Sequence, residues 1–153
     1  MKVVMKVAIG NDHRGFSLKK KILQKFSHIP FINIGCDSDE RVDYPDYAKK
    51  VAQKISQGEC ERGILICGSG VGMSIVANKF PGIRASLVWD SKVAKLTREH
   101  NDSNVLCLSA DLVDEKKIFD IIQVWLETSF EGGRHATRLQ KIQSIEHELK
   151  GKK

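Results

Sequence analysis

Short apolar runs alternate with amphipathic stretches along this chain of 153 residues. The runs are rich in valine, isoleucine and leucine, as expected of strands that are buried on both faces of a parallel sheet. They cover residues 3–9, 31–34, 63–67, 84–88 and 105–108. The stretches after them place apolar residues at helical spacing and predict helices over residues 16–26, 45–56, 71–79, 91–99 and 114–128.

This alternation predicts an α/β fold, a doubly wound (Rossmann-like), five-stranded parallel sheet with helices on both faces. An extra C-terminal helix is predicted over residues 137–150, after a break at residues 131–133. It packs either on a partner subunit or on its own domain through Leu139, Ile142, Ile145 and Leu149. The chain has no internal repeat or linker, so residues 1–153 are expected to form a single domain.

Composition narrows the class of protein. Hydrophobic residues make up 41% of the chain, but no apolar run reaches the roughly 18 residues of a membrane helix. Polar residues 11–13 follow the first strand too closely for a signal peptide, so a cytoplasmic protein without a membrane partner is expected. The four cysteines should then be reduced, and none forms the C-x-x-C pair of a zinc knuckle or a thioredoxin-type site.

The net charge of +6 indicates either an anionic partner or a solvated, lysine-rich surface. The lysines form short groups on separate predicted helices and at residues 150–153, without interleaved aromatic residues. A nucleic-acid surface would be more continuous, so the expected partner is a phosphorylated small molecule and not a nucleic acid. Arg134 and Arg138 lie four residues apart on one helix face, which suits a phosphate or is simply an exposed helix start.

A glycine-rich loop after the third strand is the strongest indication of chemistry. Cys67 ends that strand, and the loop after it comprises Gly68, Ser69, Gly70, Val71 and Gly72. Open α/β sheets bind their ligands at the carboxyl ends of strands, and backbone N–H groups in such a loop stabilise negative charge. The segment therefore predicts a reactive thiolate beside an anion hole. The alternative is that Cys67 is a small buried hydrophobic residue.

Three better-known loop motifs do not fit. The dinucleotide-binding motif G-x-G-x-x-G and the Walker A motif both need a glycine where this chain has Met73. A tyrosine-phosphatase loop needs an arginine at Met73 or Ser74. A phosphocysteine carrier has a similar glycine-rich loop, although its cysteine normally ends a first strand. That carrier remains an alternative on the loop alone.

Other candidate residues follow from the predicted topology. Asp12 and His13 end the first strand and should meet Cys67, because the carboxyl ends of parallel strands lie at one edge of the sheet. His100 precedes the fifth strand at the opposite edge. It is therefore expected to serve the site of a neighbouring subunit.

Seven short motifs occur in order along nearly the whole chain. They are Gly10-Asn11-Asp12-His13-Arg14-Gly15, Asp43-Tyr44-Pro45-Asp46-Tyr47-Ala48, Ile66-Cys67-Gly68-Ser69-Gly70-Val71-Gly72, Ala77-Asn78-Lys79, Gly82-Ile83-Arg84-Ala85, His100-Asn101-Asp102-Ser103-Asn104-Val105 and Glu131-Gly132-Gly133-Arg134-His135. Each is weak alone, but the ordered set is highly specific. On these motifs the chain resembles the family of ribose-5-phosphate isomerase type B, which includes galactose-6-phosphate isomerase subunits.

The resemblance implies an aldose–ketose isomerase that interconverts ribose 5-phosphate and ribulose 5-phosphate without a metal or another cofactor. Cys67 matches the base that moves a proton from C2 to C1 through a cis-enediolate. The backbone amides of residues 68–72 would stabilise the charge of this intermediate. Ser69 matches a hydroxyl that assists Cys67 or shuttles protons between O1 and O2.

The resemblance also implies roles for residues outside the loop. Ring opening is assigned to Asp12 and His100, the sugar hydroxyls to Tyr44 and Asn101, and the phosphate to His13, Arg134 and Arg138. Family members are homodimers or tetramers whose sites are shared between subunits.

One departure from the family concerns the segment after the fifth strand. The family usually has glycine, any residue and arginine there, and the arginine contacts phosphate from the second subunit. This chain has Ser109, Ala110 and Asp111 instead. Either Arg134, Arg138 and Lys92 or another lysine compensate, or the substrate is a six-carbon phosphosugar such as allose 6-phosphate or galactose 6-phosphate.

Overall fold

A computed structural model describes residues 5–151 and contains an entirely parallel sheet of five strands. The strands are β1 (Val7–Asn11), β2 (Phe31–Asn33), β3 (Arg62–Cys67), β4 (Ala85–Leu87) and β5 (Val105–Ser109). They lie in the order β2-β1-β3-β5-β4, with parallel pairing at each step. The predicted fold class is confirmed.

Six α-helices surround the sheet within the described residues, and the C-terminal one is among them. They are α1 (Phe16–Lys25), α2 (Tyr44–Ser56), α3 (Val71–Ala77), α4 (Ser91–Asn101), α5 (Glu115–Glu127) and α6 (Arg134–Lys150). Asp114 caps α5, because its side chain accepts a hydrogen bond from the Lys117 amide. No described helix is both long and apolar enough to cross a membrane.

Three differences from the predicted elements have local causes. β1 continues to Asn11 because Gly10 and Asn11 pair with β3, whereas residues 3 and 4 of the predicted strand lie outside the described residues. An unpredicted 3-10 turn, His13–Gly15, follows β1 and is capped by the Asp12 carboxylate. α6 begins three residues earlier than predicted, directly after Gly133, which has a φ of +56°.

The core consists of two layers, one on each face of the sheet. On one face, Ile64 and Ile66 of β3 pack in a cluster with Trp125 of α5. On the other face, Leu65 and Cys67 of the same strand belong to a cluster with α2 and α3. The alternation of side chains along β3 therefore fixes both layers and leaves the loop after Cys67 at the carboxyl edge.

The last helix is only partly packed on its own domain. α6 lies against α4, and its Glu146 accepts a hydrogen bond from the Gly82 amide at 2.9 Å. Ile142, Ile145 and Leu149 are each more than half exposed. The predicted apolar positions of this helix therefore remain largely at the surface of the single subunit.

Candidate active site

A cavity of about 570 Å³ opens at the carboxyl edge of the sheet, around the ends of β1, β3 and β5. Seven residues predicted for the site line it: Asp12, Tyr44, Cys67, Gly68, Ser69, Val71 and Gly72. The remaining lining residues are Arg14, Ile75, Asp111 and Leu112. The topology thus brings the acid of the first strand end to the cysteine of the third, as expected.

The glycine-rich loop holds the sulfur of Cys67. The amide of Gly70 donates a hydrogen bond to Cys67 Sγ at 3.1 Å, and the residue is only 5% exposed. The amide of Val71 donates to Ser69 Oγ at 3.2 Å. Two of the amides predicted to form the anion hole are therefore engaged inside the loop. Among the described residues, those of Gly68, Ser69 and Gly72 remain for a ligand.

The segment after β5 is joined to the loop after β3. The amides of Ala110 and Asp111 donate to the carbonyls of Cys67 and Gly68 at 2.9 Å and 3.0 Å. The hydroxyl of Ser109 donates to the Gly68 carbonyl at 2.7 Å. The resemblance implied that position 111 serves the second subunit. In the single chain, Asp111 lines the Cys67 cavity and forms an ion pair with Arg14.

Asp12 and His13 follow β1 but face different surroundings. Asp12 Oδ1 accepts hydrogen bonds from the amides of Arg14 and Gly15 at 2.9 Å and 3.3 Å, and the residue lines the cavity. His13 does not line it; its Nδ1 accepts a hydrogen bond from the Val42 amide at 3.2 Å. A neutral ring that accepts through Nδ1 carries its proton on Nε2, so His13 presents an N–H donor there.

The other predicted residues form a second cluster, at the opposite edge of the sheet. β5 pairs Val105 with Gly63 and Ser109 with Cys67, so its beginning lies about 13 Å of strand away from Cys67. His100 and Asn101 precede that beginning at the end of α4. Arg134 and Arg138 are exposed on the first turns of α6. None of these four lines the Cys67 cavity of the same chain.

His100 is held in this second cluster by its neighbours. Its ring stacks on His135 with the centroids 4.2 Å apart, and its Nε2 lies 3.9 Å from Glu131 Oε2. The pKa of His135 is lowered, first by burial and then by the nearby charges of His100 and Arg134. His135 Nε2 is buried and has no hydrogen-bond partner among the described residues.

His100, Glu131 and His135 offer ligand atoms within 4.8 Å of one another, which is the spacing of a metal site. The two imidazole planes differ by only 15°, however, so the nitrogen lone pairs lie in two nearly parallel, stacked planes, which does not favour their meeting at one ion. The contacts with His135 and Glu131 therefore serve to orient the His100 ring, and they do not form a good coordination site.

The sequence placed His135 in a basic cluster with Arg134 and Arg138, but it assigned no role in the site to His135 or to Arg14. Arg14 enters the cavity because it follows Asp12 in the capped turn and meets Asp111, which is 97 positions further along the chain. His135 stood within a motif, but only the stacked rings reveal its contact with His100. The charge of Asp111 was the available signal for Arg14, since an acid beside a phosphate site requires a cation.

Comparison with known proteins agrees with this geometry. The family model described as Ribose/Galactose Isomerase matches residues 7–142. Ribose-5-phosphate isomerase B of Escherichia coli is 46% identical over 143 residues, which cover 92% of this chain and 96% of the relative.

Two solved structures superpose closely. Ribose-5-phosphate isomerase B of Clostridium thermocellum is 48% identical, with a TM-score of 0.91 over 95% of this chain and 99% of that one. Ribose-5-phosphate isomerase B of Mycoplasma genitalium, solved with bound ribulose 5-phosphate, is 40% identical, with a TM-score of 0.91 over 96% of this chain and 99% of that one.

Proposed function

Because the chain belongs to the ribose/galactose isomerase family, we propose that it interconverts D-ribose 5-phosphate and D-ribulose 5-phosphate. The relatives named as ribose-5-phosphate isomerase B cover nearly the whole chain, and one of them was solved with ribulose 5-phosphate. The observation that carries the proposal is the position of Cys67 Sγ. It accepts a hydrogen bond from the Gly70 amide, in a cavity that Asp12 also lines.

Cys67 is the proposed base. Its thiolate removes the proton from C2 of the open-chain aldose and returns it to C1, through a cis-enediolate. The amides of Gly68, Ser69 and Gly72 are the donors that remain to stabilise the negative oxygen. The Ser69 hydroxyl oxygen accepts a hydrogen bond from the Val71 amide, so its own O–H proton stays free. That proton is proposed to move between O1 and O2 of the sugar.

Ring opening must come before proton transfer, because C2 becomes acidic only beside a free carbonyl. Asp12 uses Oδ1 for its two backbone hydrogen bonds, so Oδ2 is the atom proposed to take a proton from the sugar hydroxyl. His100 is proposed as the second ring-opening group. Tyr44 and Asn101 are proposed to bind the sugar hydroxyls.

His100, Asn101, Arg134 and Arg138 would reach the cavity of a neighbouring copy in a homodimer or a pair of dimers. The cavity of one chain combines two acids, Asp12 and Asp111, with a single described cation, so a phosphate needs further positive charge. The two α6 arginines are exposed and form no ion pair among the described residues. An exposed apolar rim of Val71, Ile75 and Leu112 beside the cavity also favours a covering subunit.

His13 would contribute its Nε2 proton to the phosphate once the neighbouring copy is in place. We also propose that the protein works in the cytoplasm, where thiols stay reduced, because its four cysteines are free and buried.

A six-carbon phosphosugar is not favoured by these observations. Asp111 was the reason to consider one, and its charge is balanced by Arg14. A phosphocysteine carrier is not favoured either, since the matched relatives are isomerases.

The test is turnover of ribose 5-phosphate by the wild-type protein and by Cys67→Ala. We expect ketose formation by the wild type and a loss of at least about 10³-fold in the variant, the scale of a removed general base. Cys60→Ala is the matched control, because Cys60 is buried just before β3 and should be dispensable for turnover.

Alkylation by iodoacetate gives a second readout. Burial raises the pKa of Cys107 and of Cys60, so these thiols should react slowly. Substrate should protect Cys67 from alkylation and preserve turnover. A folded wild type that is inactive on ribose 5-phosphate but active on allose 6-phosphate or galactose 6-phosphate would overturn the assignment, and a labile phosphate on Cys67 would support a carrier.

A further inference from the structure

Arg14 is the one cationic side chain among the described residues that line the Cys67 cavity. The other charged groups of the lining are the carboxylates of Asp12 and Asp111. A sugar phosphate that binds there brings more negative charge close to two acids. Its affinity therefore depends on the position and the free donors of Arg14.

The structure fixes Arg14 at both ends. Its backbone amide donates to Asp12 Oδ1 at 2.9 Å, which holds the residue in the turn after β1. Its Nε and Nη2 atoms lie 2.9 Å and 2.8 Å from the same oxygen, Oδ2 of Asp111. A guanidinium carries more N–H donors than these two, so the others remain for an anion.

The Arg14 guanidinium lies beside the glycine-rich loop that follows Cys67. A Cβ atom placed on Gly68 would lie 3.7 Å from Arg14 Nε and 2.8 Å from Asp111 Oδ2. Asp111 is itself anchored there, because its amide donates to the Gly68 carbonyl. Through Asp111, the ion pair is therefore anchored to Gly68, the residue that follows Cys67.

Folding stability does not explain this ion pair. The side chains of Arg14 and Asp111 are 59% and 39% exposed, and exposed pairs contribute little to stability. A planar guanidinium held by a carboxylate is, in contrast, well suited to bind the oxygens of a phosphate through its free edge.

On the basis of the isomerase function proposed above, we propose that Arg14 binds the phosphate group of the sugar phosphate substrate. Asp111 is the positioning residue that orients its guanidinium. The acid after β5 then supports phosphate binding through Arg14 and does not oppose it.

The first test is the kinetics of Arg14→Ala with ribose 5-phosphate. Loss of charged hydrogen bonds to phosphate should raise KM by about 10- to 100-fold and leave kcat within about threefold. Arg14→Lys keeps the charge without the planar fork and should fall in between. Lys25→Ala removes an exposed positive charge at the far end of α1 and should leave KM unchanged. An unchanged KM in Arg14→Ala would overturn the proposal.

A double mutant separates phosphate binding from simple neutralisation of Asp111. If Asp111 acts through Arg14, Asp111→Ala raises KM on its own, and Arg14→Ala/Asp111→Ala stays within about threefold of Arg14→Ala. If Arg14 only neutralises Asp111, the double mutant regains the wild-type KM, and the proposal is wrong.

Protection by inorganic phosphate tests the inference without any turnover. Phosphate should slow the alkylation of Cys67 by iodoacetate in the wild type, and Arg14→Ala should need about 10-fold or more phosphate for the same protection. Equal protection in both proteins would reject a role for Arg14 in binding phosphate, even if the wild type isomerises ribose 5-phosphate. Unequal protection would support it, even if the wild type does not.

Discussion

His135 is the residue from which a pH dependence of stability is expected. Its pKa lies below the usual 6.5, because burial disfavours the charged ring and the charges of His100 and Arg134 add to this effect. Below about pH 6.5 the unfolded chain binds a proton at His135 that the folded chain does not. The free energy of unfolding should therefore fall as the pH decreases from about 6.5 through the folded-state pKa.

The variant that tests this is His135→Phe, which keeps an aromatic ring against His100 and removes the unpartnered buried nitrogen. Chemical denaturation at about pH 7.5 and about pH 5.5 should show a smaller loss of stability on acidification than in the wild type. His147→Gln removes an exposed histidine and is the matched control. An identical loss in His135→Phe and wild type would contradict the prediction.

A site residue can be predicted from the sequence when its neighbours along the chain indicate its position in the fold. Cys67 and Asp12 end apolar strands, and the topology of a parallel sheet brings strand ends together. Arg14 is not marked in this way, because its role depends on an ion pair with Asp111, 97 positions away. The bond from Gly70 to Cys67 Sγ also required coordinates, since any of the loop amides could have made it.

At the scale of elements, the turn between β3 and α3 depends on Gly70. This residue has a φ of +80°, and an added Cβ would lie 2.6 Å from Leu87 Cδ1. Gly70→Ala should destabilise the protein by about 2–4 kcal/mol, from the left-handed backbone and the clash together. Turnover should fall as well, because a displaced Gly70 amide no longer holds Cys67 Sγ.

Gly82→Ala is the control for this substitution. Gly82 also has a positive φ, +76°, but an added Cβ there would meet nothing within 4 Å. It should cost only the backbone contribution, about 1–2 kcal/mol, and leave turnover intact. Equal effects of the two substitutions in urea denaturation and in the assay would show that the clash and the sulfur contact are unimportant.

Element types followed from the apolar periodicity, but their arrangement did not. The alternation of residues along β3 was readable because each face packs against a different layer. The position of β5 between β3 and β4 could not be predicted from the sequence, because the order of strands in a sheet depends on pairing between distant segments. That order is also what puts Asp111, just after β5, beside the loop that follows β3.

At the scale of the whole molecule, the two clusters of candidate residues lie at opposite edges of one subunit. Cys67 and Arg14 belong to one edge, and His100 and Arg134 to the other. In a twofold-symmetric dimer the Cys67 edge of each copy can face the His100 edge of the other, so that every complete site takes residues from both chains. This arrangement makes a prediction about mixtures of inactive variants.

Cys67→Ala and His100→Asn should each be inactive alone. When the two are unfolded together and refolded as a mixture, half of the dimers should be mixed, and each mixed dimer should contain one site with both native residues. The expected activity is about a quarter of the wild-type value. A mixture of Cys67→Ala with Arg14→Ala should show only the mean of the two parental activities at a substrate concentration below KM, because these residues belong to the same chain's cavity. Recovery in both mixtures, or in neither, would contradict the shared site, since only residues on opposite edges can complement each other between subunits.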